Sequence, residues 1–148
     1  MPATFFLIGI GCHVEQDASG FVARALAEGH GIGHHAASPR QQAAPRPLSL
    51  HWFRPGGGRF PPAMLRTLAA EGYPLVLGSI FPWDTLRRPL AFLLRFLLAN
   101  AHPGGILVLH DRPDTIDATL ATLCAVVPEL RRRSCSFVRL ESLPEQGR

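Results

Sequence analysis

Short apolar segments alternate along this chain with longer segments in which apolar residues recur at helical spacing, and this alternation limits the possible folds. Each short segment is rich in aliphatic or aromatic residues, which is typical of a buried strand. The predicted strands are Ala3–Gly9, a short strand that leads to His34, Leu50–Phe53, Leu75–Leu77, Ile106–Leu109 and Phe137–Leu140. Strands that alternate with helices favour right-handed crossovers, so we expect an α/β fold with mostly parallel strands.

Four helices are predicted between these strands from the spacing of apolar residues. The first ends at Gly29 and the second begins at Pro61-Pro62, which fit a left-handed cap and a proline at the helix start. The third covers Leu90 to Leu98. The fourth runs from about Thr115 to Arg133, and Pro128 favours a break or restart inside it. The expected inward residues of the second and fourth helices are Met64, Leu65, Leu68, Ala69, Ile116, Leu120, Leu123, Val127 and Leu130.

The composition fits one folded domain that spans residues 1–148. A chain of this length with 47% hydrophobic residues is long enough to bury a core. All fifteen basic residues are arginine and the formal net charge is only +4, so no nucleic-acid partner is expected. Neither a signal peptide nor a membrane-spanning segment is recognised, which predicts a cytoplasmic chain as it stands. The three cysteines form no CxxC pair, and Cys124 is expected to pack on an apolar helix face.

Polar residues with catalytic side chains follow the predicted strands. His34-His35, Arg54, Asp84 and His110-Asp111 each come directly after one. Because chemistry gathers at the C-terminal ends of parallel strands, these residues are expected on one rim. Three of the seven histidines lie within Gly29–His35, a density that suits metal binding or proton transfer. A serine hydrolase is disfavoured because the sequence has no Gly-x-Ser-x-Gly motif.

Four segments occur in the order expected of one enzyme family. They are Ala3–Gly9, Ala27–His35, Trp52–Gly58 and Leu107–Asp111. On these segments the chain resembles the polysaccharide deacetylases, also called carbohydrate esterase family 4 or the NodB-homology domain. The resemblance implies a distorted (β/α) barrel that removes acetyl groups from N-acetylated sugars with a divalent metal, usually zinc. It also implies that the partner is an N-acetylated polysaccharide or oligosaccharide. Many members of the family act at the cell envelope, so the resemblance leaves the location of this chain open.

The resemblance assigns one metal ligand to this chain and leaves the metal site short of donors. His35 matches the first histidine of the family motif His-Ser/Thr-x-x-His, whereas the second falls at Pro39, which has no ligating side chain. Because zinc normally takes three or four protein ligands, tight binding is not expected. His34 points away from His35 in an extended backbone. His30 and His51 are able to substitute only if the loop folds back.

The resemblance also assigns catalytic roles to residues that this chain retains. Arg54 matches the arginine that orients the catalytic base, and His110 matches the general acid. Asp84 corresponds to an aspartate that pairs with that arginine. The main-chain N–H near Gly57, where the family usually has tyrosine, corresponds to an oxyanion donor. Trp83, next to Asp84, is the expected contact for a sugar ring.

Structural alternatives stay open for two of these assignments. His110 also fits a strand-end histidine that is bonded to Asp111. Trp52 and Trp83 also fit packing positions, because tryptophans are often part of a core or its rim.

These matches and departures predict a polysaccharide deacetylase-like hydrolase, acting on C–N amide bonds, with impaired activity. The family's Thr-Phe-Asp-Asp segment, which supplies the base and the metal aspartate, comes before the point where this sequence starts. We therefore expect an incomplete distorted barrel with its first strand missing, and a loop over residues 36–49 that is shorter than in the family. The alternatives are a non-catalytic carbohydrate-binding relative and a truncated reading frame without activity.

Overall fold

A computed structural model describes residues 1–8, 18–36 and 52–143. The chain divides into two compact units. The first, which we call the sheet unit, comprises Met1–Leu77 together with Phe137–Arg148. The second, the helical unit, comprises Gly78–Ser136. A single domain over residues 1–148 stays a prediction, and the predicted loop over 36–49 lies, except for Ala36, outside the described residues.

The sheet unit contains three parallel strands in the order β1-β2-β3. Strand β1 is Thr4–Ile8, β2 is Gly31–Ala36 and β3 is Phe53–Pro55. These strands confirm the predicted parallel pairing. Gly33 is required where it stands, because a β-carbon there would come within 2.6 Å of the Phe6 ring on the neighbouring strand.

Helix α1, Ala18–Ala27, lies between β1 and β2 in the chain and packs against the sheet. Its buried residues Val22 and Ala25 form a small core with Ile32, and Phe5 and Leu7 cover it. The helix ends as predicted at Gly29, which has a φ of 80°. The main-chain N–H of His30 then donates to the carbonyl of Ala25 at 2.8 Å, which is the bond of a Schellman cap.

Helix α2, Pro62–Ala70, follows β3 and covers the other end of the sheet unit's core. Met64 and Leu68 are buried together with Phe53. The expected inward positions Leu65 and Ala69 are exposed, so that part of the prediction was wrong. The apolar face is narrower than the sequence suggested because only residues four apart reach the core.

The strand predicted at Leu75–Leu77 is a single bridge between Phe53 and Leu75. In this bridge the N–H of Phe53 donates to the carbonyl of Pro74 at 3.0 Å, and the carbonyl of Phe53 accepts from the N–H of Val76 at 2.8 Å. The next donor in a parallel ladder would be residue 55, which is Pro55 and has no N–H. In the helical unit, the strand predicted at Ile106–Leu109 is likewise a single bridge, between Ile80 and Leu107. The next donor after Ile80 would be residue 82, which is Pro82 and has no N–H.

The last predicted strand, Phe137–Leu140, was also wrong. The structure has a 3-10 turn over Leu140–Ser142 instead. The main-chain N–H of Leu140 donates to the side-chain hydroxyl of Thr4 in β1 at 3.4 Å, and not to a main-chain carbonyl as in a β-ladder. A short apolar run without a ladder partner therefore remains irregular.

The helical unit is built on α3, Leu90–Asn100, and α4, Ile116–Arg132, which pack against each other. Leu93 and Leu97 of α3 are almost fully buried. Helix α4 continues through Pro128, so the expected break does not occur.

The buried face of α4 differs from the apolar face expected from the sequence. Its buried residues are Thr119, Thr122, Val126 and Leu130, whereas Leu120 is 52% exposed. The threonines are satisfied inside the unit, since the Thr122 hydroxyl donates to the carbonyl of Ala118 at 2.7 Å. Cys124, expected to pack, is exposed. Throughout the described ranges, no helix has the length and apolar character needed to cross a membrane.

Candidate active site

Asp84 and His110 form a carboxylate–histidine pair in the helical unit, which we call the acid pair. Asp84 Oδ1 lies 3.0 Å from His110 Nδ1, and Asp84 Oδ2 lies 2.6 Å from the main-chain nitrogen of His110. An ionised carboxylate only accepts hydrogen bonds, so both nitrogens donate to it. The side chain of Asp84 is 1% exposed and that of His110 is 32% exposed. The buried anion therefore holds one edge of a ring that is partly open to solvent.

Asp84 opens a 3-10 turn over Asp84–Leu86. The residue before it, Trp83, has φ 53° and ψ 40°, in the left-handed region that bulky residues rarely occupy. Such a conformation costs about 1–3 kcal/mol and persists only where surrounding contacts impose it. The two bonds from His110 to the Asp84 carboxylate hold this turn in place. Trp83 remains 44% exposed beside the acid pair.

Two further contacts fix the position of His110. The hydroxyl of Thr119, on α4, donates to the His110 carbonyl at 2.9 Å. The ring of Phe81 meets the imidazole edge to face, with centroids 5.6 Å apart and an interplanar angle of 85°. Because Nδ1 donates to Asp84, proton exchange with a ligand is assigned to the second ring nitrogen, Nε2. The arrangement suits a proton donor that does not have to turn.

His35 and Arg54 come together at the ends of two neighbouring strands in the sheet unit. They are register partners on β2 and β3. His35 Nδ1 lies 2.9 Å from the main-chain oxygen of Arg54, and because a carbonyl only accepts, Nδ1 is the donor. A bond from Nδ1 to a main-chain carbonyl is usual for a histidine that ligates a metal through Nε2.

The Arg54 guanidinium lies over the Phe6 ring, with Cζ 4.5 Å from the ring centroid. Burial lowers the pKa of Arg54 below its usual value because the charged form loses solvent. We call His35, Arg54 and Phe6 the His35 group. The pairing of Arg54 with Asp84 stays a prediction, since the two residues belong to different units.

The other histidines of the first motif are engaged elsewhere. His34 stacks on Phe53, with centroids 5.6 Å apart, and His30 Nδ1 accepts the N–H of Ala3 at 3.2 Å. Within residues 1–8, 18–36 and 52–143, no three His, Cys, Asp or Glu side chains are grouped so that they could hold a metal ion. The described residues therefore do not fit a zinc site that needs three protein ligands besides solvent.

Gly57 lies in a 3-10 turn, Gly56–Gly58, directly after β3. Its φ of 59° is in the left-handed region, so a tyrosine at this position would be strained here although nothing lies within 4 Å of a β-carbon. Its assignment as an oxyanion donor stays a prediction. Pro39 and His51 lie outside the described residues.

Sequence reasoning named both members of the acid pair without pairing them. The alternative in which the ring of His110 bonds to Asp111 was wrong, because Nδ1 bonds to Asp84 instead. The partners are 26 residues apart, and nothing in the spacing indicates the contact. Phe81 and Thr119 were missed as supports of the ring. Thr119 was missed because the expected inward face of α4 consisted of apolar residues only.

Relatives of known activity match nearly the whole chain, although no family model matches it. A peptidoglycan-N-acetylglucosamine deacetylase of Bacillus cereus is 29% identical over an alignment that covers 95% of this chain and 74% of that protein. A chitooligosaccharide deacetylase of Rhizobium leguminosarum bv. trifolii is 32% identical and is matched over 98% of this chain and 79% of its own length. This chain belongs to the polysaccharide deacetylase family.

Solved structures agree with membership of the polysaccharide deacetylase family at the level of the fold. A crystal structure of a peptidoglycan N-acetylglucosamine deacetylase matches 99% of this chain and 76% of its own, with a TM-score of 0.80 and 22% identity. A pseudoenzyme of carbohydrate esterase family 4 from Bacillus anthracis matches 96% of this chain and 55% of its own, with a TM-score of 0.76 and 18% identity. The family therefore includes a pseudoenzyme with the same α/β fold.

Proposed function

We propose that this member of the polysaccharide deacetylase family binds N-acetylated glycans at His110 and hydrolyses their acetamido groups only weakly. The observation that carries the proposal is the bonding of Asp84 to both the ring and the main chain of His110. Removal of an acetyl group needs a proton donor for the departing amine, and a histidine fixed on a buried carboxylate is suited to that role. The relatives named for deacetylating chitooligosaccharide and peptidoglycan support a glycan as the ligand.

The acid pair defines the proposed proton transfer. Water adds to the acetamido carbonyl and loses a proton to bulk water, and the C–N bond breaks as the nitrogen takes a proton from His110 Nε2. Acetate and the free amine leave, and the ring of His110 takes up a proton from solvent again. The Asp84 carboxylate keeps Nδ1 protonated and stabilises the positive charge on the ring before the transfer. It also prevents a ring flip that would present the wrong nitrogen. The exposed ring of Trp83 offers a face for the sugar at the same position in the helical unit.

Hydrolysis is proposed to be weak because, in the described part of the chain, few side chains are in place to bind the metal ion that activates water in this family. Pro39 stands where the family has its second metal-binding histidine, and proline has no donor atom in its side chain. His34 stacks on Phe53. We assign to His35 a weak contact with a divalent cation, zinc being well suited to imidazole. Arg54 and Gly57 keep their roles, in this proposal, as orienting residue and oxyanion donor.

We also propose that the parallel strands belong to the distorted (β/α) barrel of the family. Strands β1, β2 and β3 are parallel, and so are the bridges Phe53–Leu75 and Ile80–Leu107. The two bridges extend the alternation of parallel segments and helices beyond the three strands, in the order that a barrel requires.

The experiment measures glycan binding and acetate release on the same preparations. Calorimetry with N-acetylchitotetraose is performed on the wild type, on His110→Asn and on His102→Ala. Asparagine at position 110 keeps an N–H for Asp84 and removes Nε2, whereas His102 is an exposed histidine of the same unit. Acetate release is followed with and without added zinc.

We expect saturable binding by the wild type and by His102→Ala, and roughly tenfold weaker binding by His110→Asn, because one hydrogen bond to the ligand is lost. Acetate release should stay close to the blank with zinc present. Equal binding by all three proteins, or no binding, would contradict the proposed site. Zinc-dependent release at many turnovers per chain would contradict the proposed weak hydrolysis.

A further inference from the structure

We propose that a row of aromatic side chains leading from His110 along α3 binds the neighbouring sugar units of a glycan chain. We call this row the aromatic strip and define it as Phe81, Trp83, Phe96, Phe92 and Arg88. The inference rests on the proposed function, because it takes the glycan at His110 as its starting point. It adds a binding surface that selects for longer oligosaccharides.

The rings of the strip follow one another at nearly constant spacing. Phe81 contacts His110 and lies 5.9 Å from Trp83, and Trp83 lies 5.5 Å from Phe96. Phe96 stacks on Phe92 at 5.9 Å with an interplanar angle of 26°. The Arg88 guanidinium lies over Phe92 at 5.4 Å. The strip is therefore a continuous series of contacts that begins at the proposed proton donor.

The strip is open to solvent along its length. Trp83 is 44% exposed, Arg88 is exposed, and Phe81, Phe92 and Phe96 are half-buried. Residues 92 and 96 are four apart on α3, so both lie on one helix face, whereas the buried contacts of that helix are made by Leu93 and Leu97. The aromatic face thus remains available while a different face forms the core.

The chemistry of the strip favours a glycan. The exposed ring of Trp83 offers flat apolar surface for the C–H face of a pyranose ring. The Arg88 guanidinium, which lies over Phe92, offers N–H donors to hydroxyl or acetamido oxygens. The left-handed backbone of Trp83, which is strained for a bulky residue, places this ring between His110 and α3. Strain at the junction of the acid pair and the strip fits a binding role better than a packing role, since packing does not require an exposed ring.

The test compares the binding of N-acetylchitobiose and N-acetylchitohexaose by calorimetry. The proteins are the wild type, Phe92→Ala, Arg88→Ala and the matched control Phe21→Ala, which removes a similarly exposed phenylalanine from α1. We expect the wild type to bind the hexasaccharide more tightly than the disaccharide. Arg88→Ala removes the guanidinium donors, and Phe92→Ala removes the ring on which that guanidinium rests, so each should weaken hexasaccharide binding by about 3- to 10-fold. Disaccharide binding by both variants should stay unchanged, and Phe21→Ala should match the wild type for both sugars.

Two results separate failure of the strip from failure of the proposed function. If the wild type binds both oligosaccharides equally, or if Phe92→Ala loses affinity for both alike, the strip is overturned while the site at His110 stands. If the wild type binds neither, the proposed function is overturned and the strip with it. Should Phe92→Ala fail to fold, aromatic NMR of the wild type decides, because hexasaccharide must shift the ring resonances of Phe92 and disaccharide must not.

Discussion

The acid pair and the His35 group both place a histidine beside a strand-like segment, but they hold it in different ways. His110 donates twice to a carboxylate whose side chain is 1% exposed, and its own carbonyl accepts from Thr119. His35 donates to a main-chain carbonyl. Hydrogen bonds to a buried charge contribute about 1.5–3 kcal/mol, whereas neutral ones contribute about 0.5–1.5 kcal/mol.

Under the proposed function, this difference separates the proposed proton donor from the proposed metal ligand. A buried carboxylate is costly unless its hydrogen bonds are made, so Asp84 and His110 constrain each other. The contact described for His35 is made with a neutral carbonyl and not with a buried carboxylate. We infer that the position of the acid pair is fixed by the fold, and that the metal half of the chemistry depends on residues such as Pro39 that cannot serve it.

The largest effect is expected from Asp84→Ala, which removes the acceptor for two nitrogens of His110. The free energy of unfolding should fall by about 3 kcal/mol, because the main-chain N–H is left without its partner. Urea denaturation followed by circular dichroism measures this change. The control is Asp111→Ala, an exposed neighbour that should stay within about 0.5 kcal/mol of the wild type. If Asp84→Ala and Asp111→Ala lowered the free energy of unfolding equally, the acid pair would not be held more strongly than its neighbours, and the account would be contradicted.

The next effect concerns the support of the His35 group. Gly33→Ala places a β-carbon 2.6 Å from the Phe6 ring, on which the Arg54 guanidinium rests. We expect a loss of about 1–3 kcal/mol from overpacking, measured by the same urea titration. Gly20→Ala is the matched control, since Gly20 lies in α1 with nothing within 4 Å, and it should gain about 0.5 kcal/mol of helix stability. A neutral Gly33→Ala would show that Phe6 is free to move.

A smaller effect is expected from His35→Ala, which deletes one neutral hydrogen bond to the Arg54 carbonyl. Thermal unfolding should show a loss of about 1 kcal/mol in stability. The exposed His102→Ala serves as the reference. A loss as large as that of Asp84→Ala would mean that the two histidines are held equally strongly, and the comparison would fail.

The smallest effect comes from Glu129, a half-buried carboxylate of the helical unit whose two arginine partners are exposed. Hydrogen bonds from Arg132 and Arg133 hold the pKa of Glu129 at about 2, below its ordinary value of 4.5. Because the folded-state pKa is lowered, the stabilisation is complete above pH 4.5 and is lost as the pH falls towards about 2. Glu129→Gln should therefore be less sensitive to acid than the wild type over that range, as measured by urea midpoints at several pH values. Its effect near neutral pH should be slight, since exposed ion pairs contribute little.

Sequence patterns predicted the helices, the three parallel strands and the residues of the candidate site. They failed where one backbone atom or a polar side chain decided the outcome. Pro55 and Pro82 each lack the N–H that would extend a bridge into a strand. On the inward face of α4 the prediction was confirmed at Leu130 and wrong at Leu120. It missed Thr119 and Thr122, which are buried with their hydroxyls bonded.

In the candidate site, sequence patterns predicted the residues but not the contact between them. Strand ends marked Asp84 and His110 as candidates, and the resemblance gave them roles. Their pairing joins segments 26 residues apart, so it depends on tertiary structure. The aromatic strip was not predicted for the same reason, because the contacts of Trp83 with Phe81 and Phe96 also depend on tertiary structure.

The most direct test of the central claim is long-range ¹H–¹⁵N NMR of the histidine rings, which observes His110 and His35 in one sample. The claim is that the acid pair is intact whereas His35 does not complete a metal site. We predict a His110 ring protonated at Nδ1 that shifts when N-acetylchitotetraose is added, and a His35 ring that does not saturate with one equivalent of zinc. A His35 Nε2 resonance that saturates at one zinc per chain, with a His110 ring insensitive to the glycan, would contradict the account.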